Sequence, residues 1–147
     1  MKIAIVYSSV TGNTEELAKL LEVRLRSLGD VSCVCIKDFP LSDLSQYDGL
    51  IIGTYTLGDG EVPFEMVPLL QEFLQSPREH LVTGIFGTGD SFYPKYCGAV
   101  DVFRDVLKET SNLAVTLKVE LMPQLEDLIR CDKFVEKFAE RLRLPVC

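Results

Sequence analysis

The sequence predicts an α/β fold, a three-layer doubly wound sandwich in which helices cover both faces of a five-stranded parallel sheet. Three observations carry that prediction. Five short apolar runs rich in β-branched residues are separated by segments with helical apolar spacing. Most of those runs are apolar at consecutive positions, as strands buried on both faces must be. The 147 residues contain no internal repeat, low-complexity tract or linker, so they read as one domain over residues 1–147.

The first run, Lys2–Tyr7, is a strand, and the small polar loop after it opens a helix. That helix places Leu17, Leu20, Leu21, Leu25 and Leu28 on one face and closes at Gly29. Strands follow at Val31–Ile36 and Asp48–Gly53, then a helix from about Pro63 to Leu74 and a strand at His80–Phe86. A helix from about Gly98 to Lys108 and a strand at Leu113–Val119 lead to a final helix, with Leu125, Leu128, Cys131, Val135, Phe138 and Leu142 on one face. In such sheets ligands sit beyond the carboxyl ends of the strands, beside the point where strand order reverses. The loops after the strands are therefore the place to look for chemistry.

Composition removes several classes of function. Hydrophobic residues are 47% and charged residues 25% of the chain, the balance of a globular protein. Asp and Glu number 22 against 15 Lys and Arg, and a net charge of −7 argues against nucleic acid or an anionic membrane as partner. No apolar run approaches the roughly 18 residues of a membrane helix and no cleavable signal pattern is present, so the expected location is cytoplasmic. The five cysteines, Cys33, Cys35, Cys97, Cys131 and Cys147, include no CxxC pair and read as free thiols. Cys33 and Cys35 share one side of a strand and read as core; a terminal Cys147 thiol could join chains in air. The one histidine, His80, has no ligand or triad pattern around it.

Three loops carry chemistry. Ser8-Ser9-Val10-Thr11-Gly12-Asn13-Thr14-Glu15 follows the first strand and opens a helix, offering hydroxyls, an amide and free backbone N–H groups at the positive end of the helix dipole. It holds no Lys or Arg and lacks the motifs of triphosphate and dinucleotide loops, so it suits a phosphate monoester. The same residue types would equally serve an ordinary helix cap, with Thr11, Asn13 or Thr14 as the capping side chain. The second loop, Thr54-Tyr55-Thr56-Leu57-Gly58-Asp59-Gly60-Glu61, has two glycines that let peptide groups approach a flat ligand, or simply turn the chain at the surface. The third, Gly87 to Cys97, sets Phe92, Tyr93 and Tyr96 among glycines, where an aromatic ring either stacks on a ligand or plugs a sheet edge.

One phosphate loop and two loops able to enclose a planar ring, at this spacing, resemble the flavodoxins of the short-chain type. The resemblance rests on TGNTE, GTYTLGDGEVP and GDSFYPKYCGAVD and covers nearly the whole chain. It implies strand order 2-1-3-4-5 and a non-covalently bound FMN that carries one electron at a time at low potential. By matching motif positions, Ser9, Val10, Thr11, Gly12, Asn13 and Thr14 are expected to hold the phosphate. Thr54, Tyr55, Thr56, Leu57, Gly58 and Asp59 form the inner loop at the ring, and Thr88, Gly89, Asp90, Tyr93, Tyr96 and Cys97 the outer one. Tyr93 is expected to stack on the ring, and Gly58 to turn its carbonyl toward N5 when the flavin is reduced, stabilising the semiquinone. Leu57 departs from the family, which often has an aromatic there, and Lys95 is a cation in an outer loop otherwise neutral or acidic.

Residues 38–72 contain seven acids (Asp38, Asp43, Asp48, Asp59, Glu61, Glu65, Glu72) and no Lys or Arg, while the remainder balances at 15 against 15. The whole net charge therefore lies in the segment that carries the inner loop. Such a face disfavours a further negative charge on the cofactor and steers basic redox proteins, a ferredoxin/flavodoxin reductase and acceptor enzymes, to a monomeric carrier. The reading is an electron carrier with no catalytic residues and no metal site. Its rivals are the flavodoxin-like activator of ribonucleotide reductase, an FMN-dependent quinone reductase, and a flavodoxin-fold interaction protein with little affinity for FMN.

Overall fold

A computed structural model of the chain describes residues 1–143. Its strands are β1 (Lys2–Tyr7), β2 (Asp30–Cys35), β3 (Gly49–Thr54), β4 (Arg78–Gly89) and β5 (Ser111–Glu120). They form one parallel sheet in the order β2-β1-β3-β4-β5, the order expected. The helices are α1 (Asn13–Leu25), α2 (Val67–Gln75), α3 (Gly98–Thr110) and α4 (Leu125–Arg143).

The consecutive apolar residues of each central strand divide between the two faces because side chains alternate across a strand. Ile3, Ile5, Ile51 and Phe86 meet Leu17, Leu21, Phe134 and Phe138 of α1 and α4. Ala4, Val6, Leu50, Ile52 and Ile85 meet Leu69, Phe73, Phe103 and Leu107 of α2 and α3 on the other side. The sheet centre is so closely packed that a Cβ on Gly53 would lie 2.2 Å from the Phe86 ring.

Differences from the sequence expectation have local causes. Between β2 and β3 the chain makes 3-10 turns at Ile36–Asp38 and Leu41–Gln46. Pro40, which cannot continue a helical hydrogen-bond ladder, stands between them. β4 extends past His80–Phe86 at both ends, through the charged pair Arg78 and Glu79 at its start and through Gly87 and Gly89 at its end, and its register with β5 is irregular near Arg78 and Thr83. In α4, Leu125 is 82% exposed, while Phe134, absent from the expected face, is buried edge-on against Phe86 at 6.4 Å between centroids. Cys33 and Cys35 are only half-buried because β2 is an edge strand; Cys131 is fully buried, and Cys147 lies outside the described residues. At the other edge, two β5 carbonyls accept guanidinium N–H groups from α4, Leu113 from Arg141 and Lys118 from Arg130. Among the described residues no helix is long and apolar enough to cross a membrane.

Candidate functional site

Because β2 and β3 flank β1 on opposite sides, the chain leaves β1 and β3 in diverging directions, and a crevice opens beyond their carboxyl ends. A cleft of about 360 Å³ lies there, within the roughly 300–1,000 Å³ usual for small-molecule sites. Val10, Thr11 and Asn13 line it from the loop after β1, and Tyr55, Thr56 and Gly58 from the loop after β3. The loop after β4 contributes Thr88, Gly89, Asp90, Tyr93, Lys95 and Cys97, and Leu121 closes the end of β5.

The first loop does not use its side chains as a helix cap. The residue at the start of α1 is Gly12, at φ 93°, and no side chain makes a capping hydrogen bond. An α-helix leaves its first N–H groups without intrahelical partners, so α1 presents donors and the positive end of its dipole to the cleft. Thr14 Oγ1 lies 2.7 Å from Thr88 Oγ1 and is buried, which pins the loop after β1 to the end of β4. Ser9 Oγ accepts from the Gly12 N–H at 3.2 Å and shapes the turn. Ser9, Gly12 and Thr14 thus build the loop wall from behind, and Val10, Thr11 and Asn13 face the cleft.

The second loop is a small hairpin. Leu57 and Glu61 exchange both backbone hydrogen bonds at 2.8 Å, with Gly58 at φ 47° and Gly60 at φ 91° inside the turn, a region that side chains enter at a cost. Thr54 is buried below the hairpin, donating its hydroxyl to the Tyr55 carbonyl, and Leu57 and Asp59 stand beside the cleft without lining it. Behind the loop, Glu65 accepts hydrogen bonds from Ser8 at 2.6 Å and from Tyr55 at 2.7 Å on one carboxylate oxygen. Burial opposes the charge on Glu65, but these hydroxyls and its own backbone hold it below the usual carboxylate value. Burial and the hydrogen bond to Glu65 push Tyr55 up to about 12.

In the outer loop the aromatics separate. Phe92 and Tyr93 are 89% and 60% exposed and stand edge to face at 6.5 Å, whereas Tyr96 is half-buried against the core beneath the Lys118 ammonium. Tyr96 therefore plugs the sheet edge, and Tyr93 is the ring at the cleft. Cys97 lines the cleft floor at φ 51°, its thiol pushed up to about 11 by burial, so it stays protonated at neutral pH.

Of the residues expected at the site, Val10, Thr11, Asn13, Tyr55, Thr56, Gly58, Thr88, Gly89, Asp90, Tyr93 and Cys97 converge on one cleft. Two cleft residues lay outside that expectation. Leu121 follows β5, a strand end the rule of carboxyl-end binding covers but the motifs do not, and Lys95 is a cation whose type suits neither a phosphate loop without bases nor a stacking ring.

A parallel α/β sheet with an uncapped helix start and two further loops converging on a cleft at its switch point is the arrangement of a phosphate- and cofactor-binding α/β protein. The flavodoxin family profile matches residues 5–132. The chain is 40% identical to probable flavodoxin 1 of Bacillus subtilis (strain 168) over 141 residues, which is 93% of this chain and 89% of that one. It superimposes on the oxidised flavodoxin 1 of Bacillus cereus with a TM-score of 0.87 at 35% identity, covering 99% and 100% of the two chains. A short-chain flavodoxin associated with a bacterial microcompartment gives a TM-score of 0.91 at 29% identity, covering 97% and 99%. The chain belongs to the flavodoxin family. Its activity is FMN-based electron transfer with redox partner proteins, and it converts no substrate. The ribonucleotide reductase activator and the quinone reductase are not favoured.

Proposed function

We propose that the cleft at the ends of β1, β3 and β4 is the FMN site of a low-potential, one-electron carrier, built by the residues the sequence singles out. The observation that carries this reading is the start of α1, where Gly12 leaves the helix without a side-chain cap and Thr11 and Asn13 face the cleft. Backbone donors, a hydroxyl and an amide suit a phosphate monoester without a cationic side chain in the loop. Thr56, Gly58 and Tyr93 border the space a flat ring would occupy, and the cofactor would supply the redox-active ring. In this reading Ser9, Gly12 and Thr14 hold the phosphate loop in shape, and Leu57 gives the hairpin apolar bulk without stacking. Thr54 and Tyr96 fix the bases of the inner and outer loops.

The protein acts as a cytoplasmic monomer of a single domain, docking through its acidic face onto reductases and acceptors with basic surfaces. Supporting this is the concentration of all net negative charge in residues 38–72, which include the inner loop.

The test is stepwise anaerobic reduction of the FMN-loaded protein followed by absorbance. Two resolved one-electron steps support the carrier, and a single two-electron step overturns it. For the phosphate assignment, Thr11→Ala weakens FMN more than riboflavin, by about 1 kcal/mol or roughly fivefold, since only FMN carries the phosphate. Equal losses for the two ligands in calorimetric titration would place the phosphate elsewhere.

A further inference from the structure

Among the described residues that line the cleft, Lys95 is the cation, set in the outer loop facing an acidic inner loop. Its ammonium lies 3.9 Å from Asp59 Oδ2, across the boundary between the two loops. Its stem lies over Gly60, where a Cβ would stand 2.7 Å from Lys95 Cδ and 2.9 Å from Lys95 Cβ. Just behind, a Cβ on Gly98 would stand 2.7 Å from Gly60 Cα, and the Ala99 N–H donates to Thr56 Oγ1 at 3.2 Å. The inner hairpin is thus locked at its ends by the paired Leu57 and Glu61 and pressed on its Gly60 side by the outer loop. Its Gly58 side faces open space, with nothing within 4 Å of where a Cβ would be. The room left to the hairpin therefore lies on its Gly58 side, opposite the contact that Lys95 makes with Gly60 and Asp59.

We infer that Lys95 is a positioning residue that straps the outer loop to the glycine hairpin. One side chain thereby sets both the hairpin's preferred conformation and the positive charge beside the bound cofactor. The inference rests on reading the cleft as the FMN site. An exposed ion pair at this distance contributes little to folding, so stability is the wrong place to look for its effect. The effect lies in the cleft, where an added electron leaves a further negative charge that a nearby cation favours.

The experiment compares the full chain with Lys95→Met, which keeps the stem and loses the charge, and Lys95→Ala, which loses both. In the FMN-loaded proteins, anaerobic titration with a chemical reductant gives the two one-electron midpoint potentials. Lys95→Met is expected to make the second step harder by roughly threefold to tenfold, tenfold being 59 mV for one electron, with the shift shrinking at high salt. In the FMN-free proteins, amide hydrogen exchange of Leu57 and Glu61 is expected to accelerate in Lys95→Ala and to stay near the parent rate in Lys95→Met. A second potential unchanged in Lys95→Met overturns the electrostatic half of the inference, and unchanged exchange in Lys95→Ala overturns the strap. If the parent chain binds no FMN, the reading of the cleft itself fails, and that is seen before either variant is made.

Discussion

Glu65 shows how much of the site is held by a residue that never faces the cleft. Its carboxylate gathers Ser8, 57 positions earlier in the chain, and Tyr55 onto one oxygen, so the starts of the phosphate loop and the inner loop share an acceptor. The pH consequences have opposite signs. Because Glu65 is held below the ordinary value, its contribution to stability is present above the unfolded carboxylate range and is lost as pH falls through the depressed value. Tyr55 is raised from 10 to about 12, so its contribution is complete below 10 and disappears as pH rises from 10 toward 12. Burial and Glu15 raise Tyr7 to about 12 as well, so both rings are lost in the same window. Tyr55→Phe is expected to cost about 1 kcal/mol at neutral pH and to flatten part of the stability loss in that window, measured by urea unfolding at stepped alkaline pH. An unchanged alkaline profile in Tyr55→Phe would separate Tyr55 from the network. None of this was legible in the sequence, where Ser8 opens the first loop and Glu65 is only one of the seven acids of residues 38–72. Thr11, Asn13 and Tyr93 were legible because their residue types suit a phosphate or a ring wherever the loop follows a strand.

At the level of elements, periodicity located the five strands and four α-helices but not the 3-10 turns between β2 and β3, and it failed where burial and pattern diverge. Leu125 has the right spacing for the α4 face but stands at the helix's first residue, in solvent, while Phe134 one turn past Arg130 fills the space against Phe86. The carboxyl end of β4 was hidden because Gly87 and Gly89 carry no strand or core signal, although a Cβ on Gly87 would lie 2.3 Å from Val100, and the amino end because Arg78 and Glu79 are charged. Glycine in a central strand ordinarily weakens it; here it makes room for rings and helices. Gly53→Ala would drive a methyl group into the Phe86 ring and is expected to destabilise by about 1–3 kcal/mol, read as a lowered urea midpoint with an unchanged slope. Phe86→Leu, placed on the same background, should recover part of that loss, and no recovery would mean that the cost lies in backbone strain. The uncapped start of α1 belongs at this scale too, because motif matching could name the loop but not show that its hydroxyls leave the helix end open.

For the whole molecule, charge is the property that reaches beyond contact distance. The fold places the acidic segment 38–72 partly in the inner loop, while the remaining 15 acids and 15 bases cancel. Association with a basic redox partner is expected to slow as ionic strength rises, because a Debye length of about 8 Å at physiological salt screens the steering field. Stopped-flow electron transfer with a basic acceptor at several salt concentrations measures this, and a rate independent of salt would remove the docking role from the acidic face. The arginine contacts on β5 bear on a different problem. An exposed sheet margin offers carbonyl and amide groups that a second chain can template on, and proteins of this architecture have two such margins. With the Leu113 and Lys118 carbonyls already bonded to guanidinium groups, the β5 margin withholds two of its acceptors from intermolecular β-pairing. Two rungs of the ladder that a fibre would need along β5 are in this way already taken within the fold of one chain.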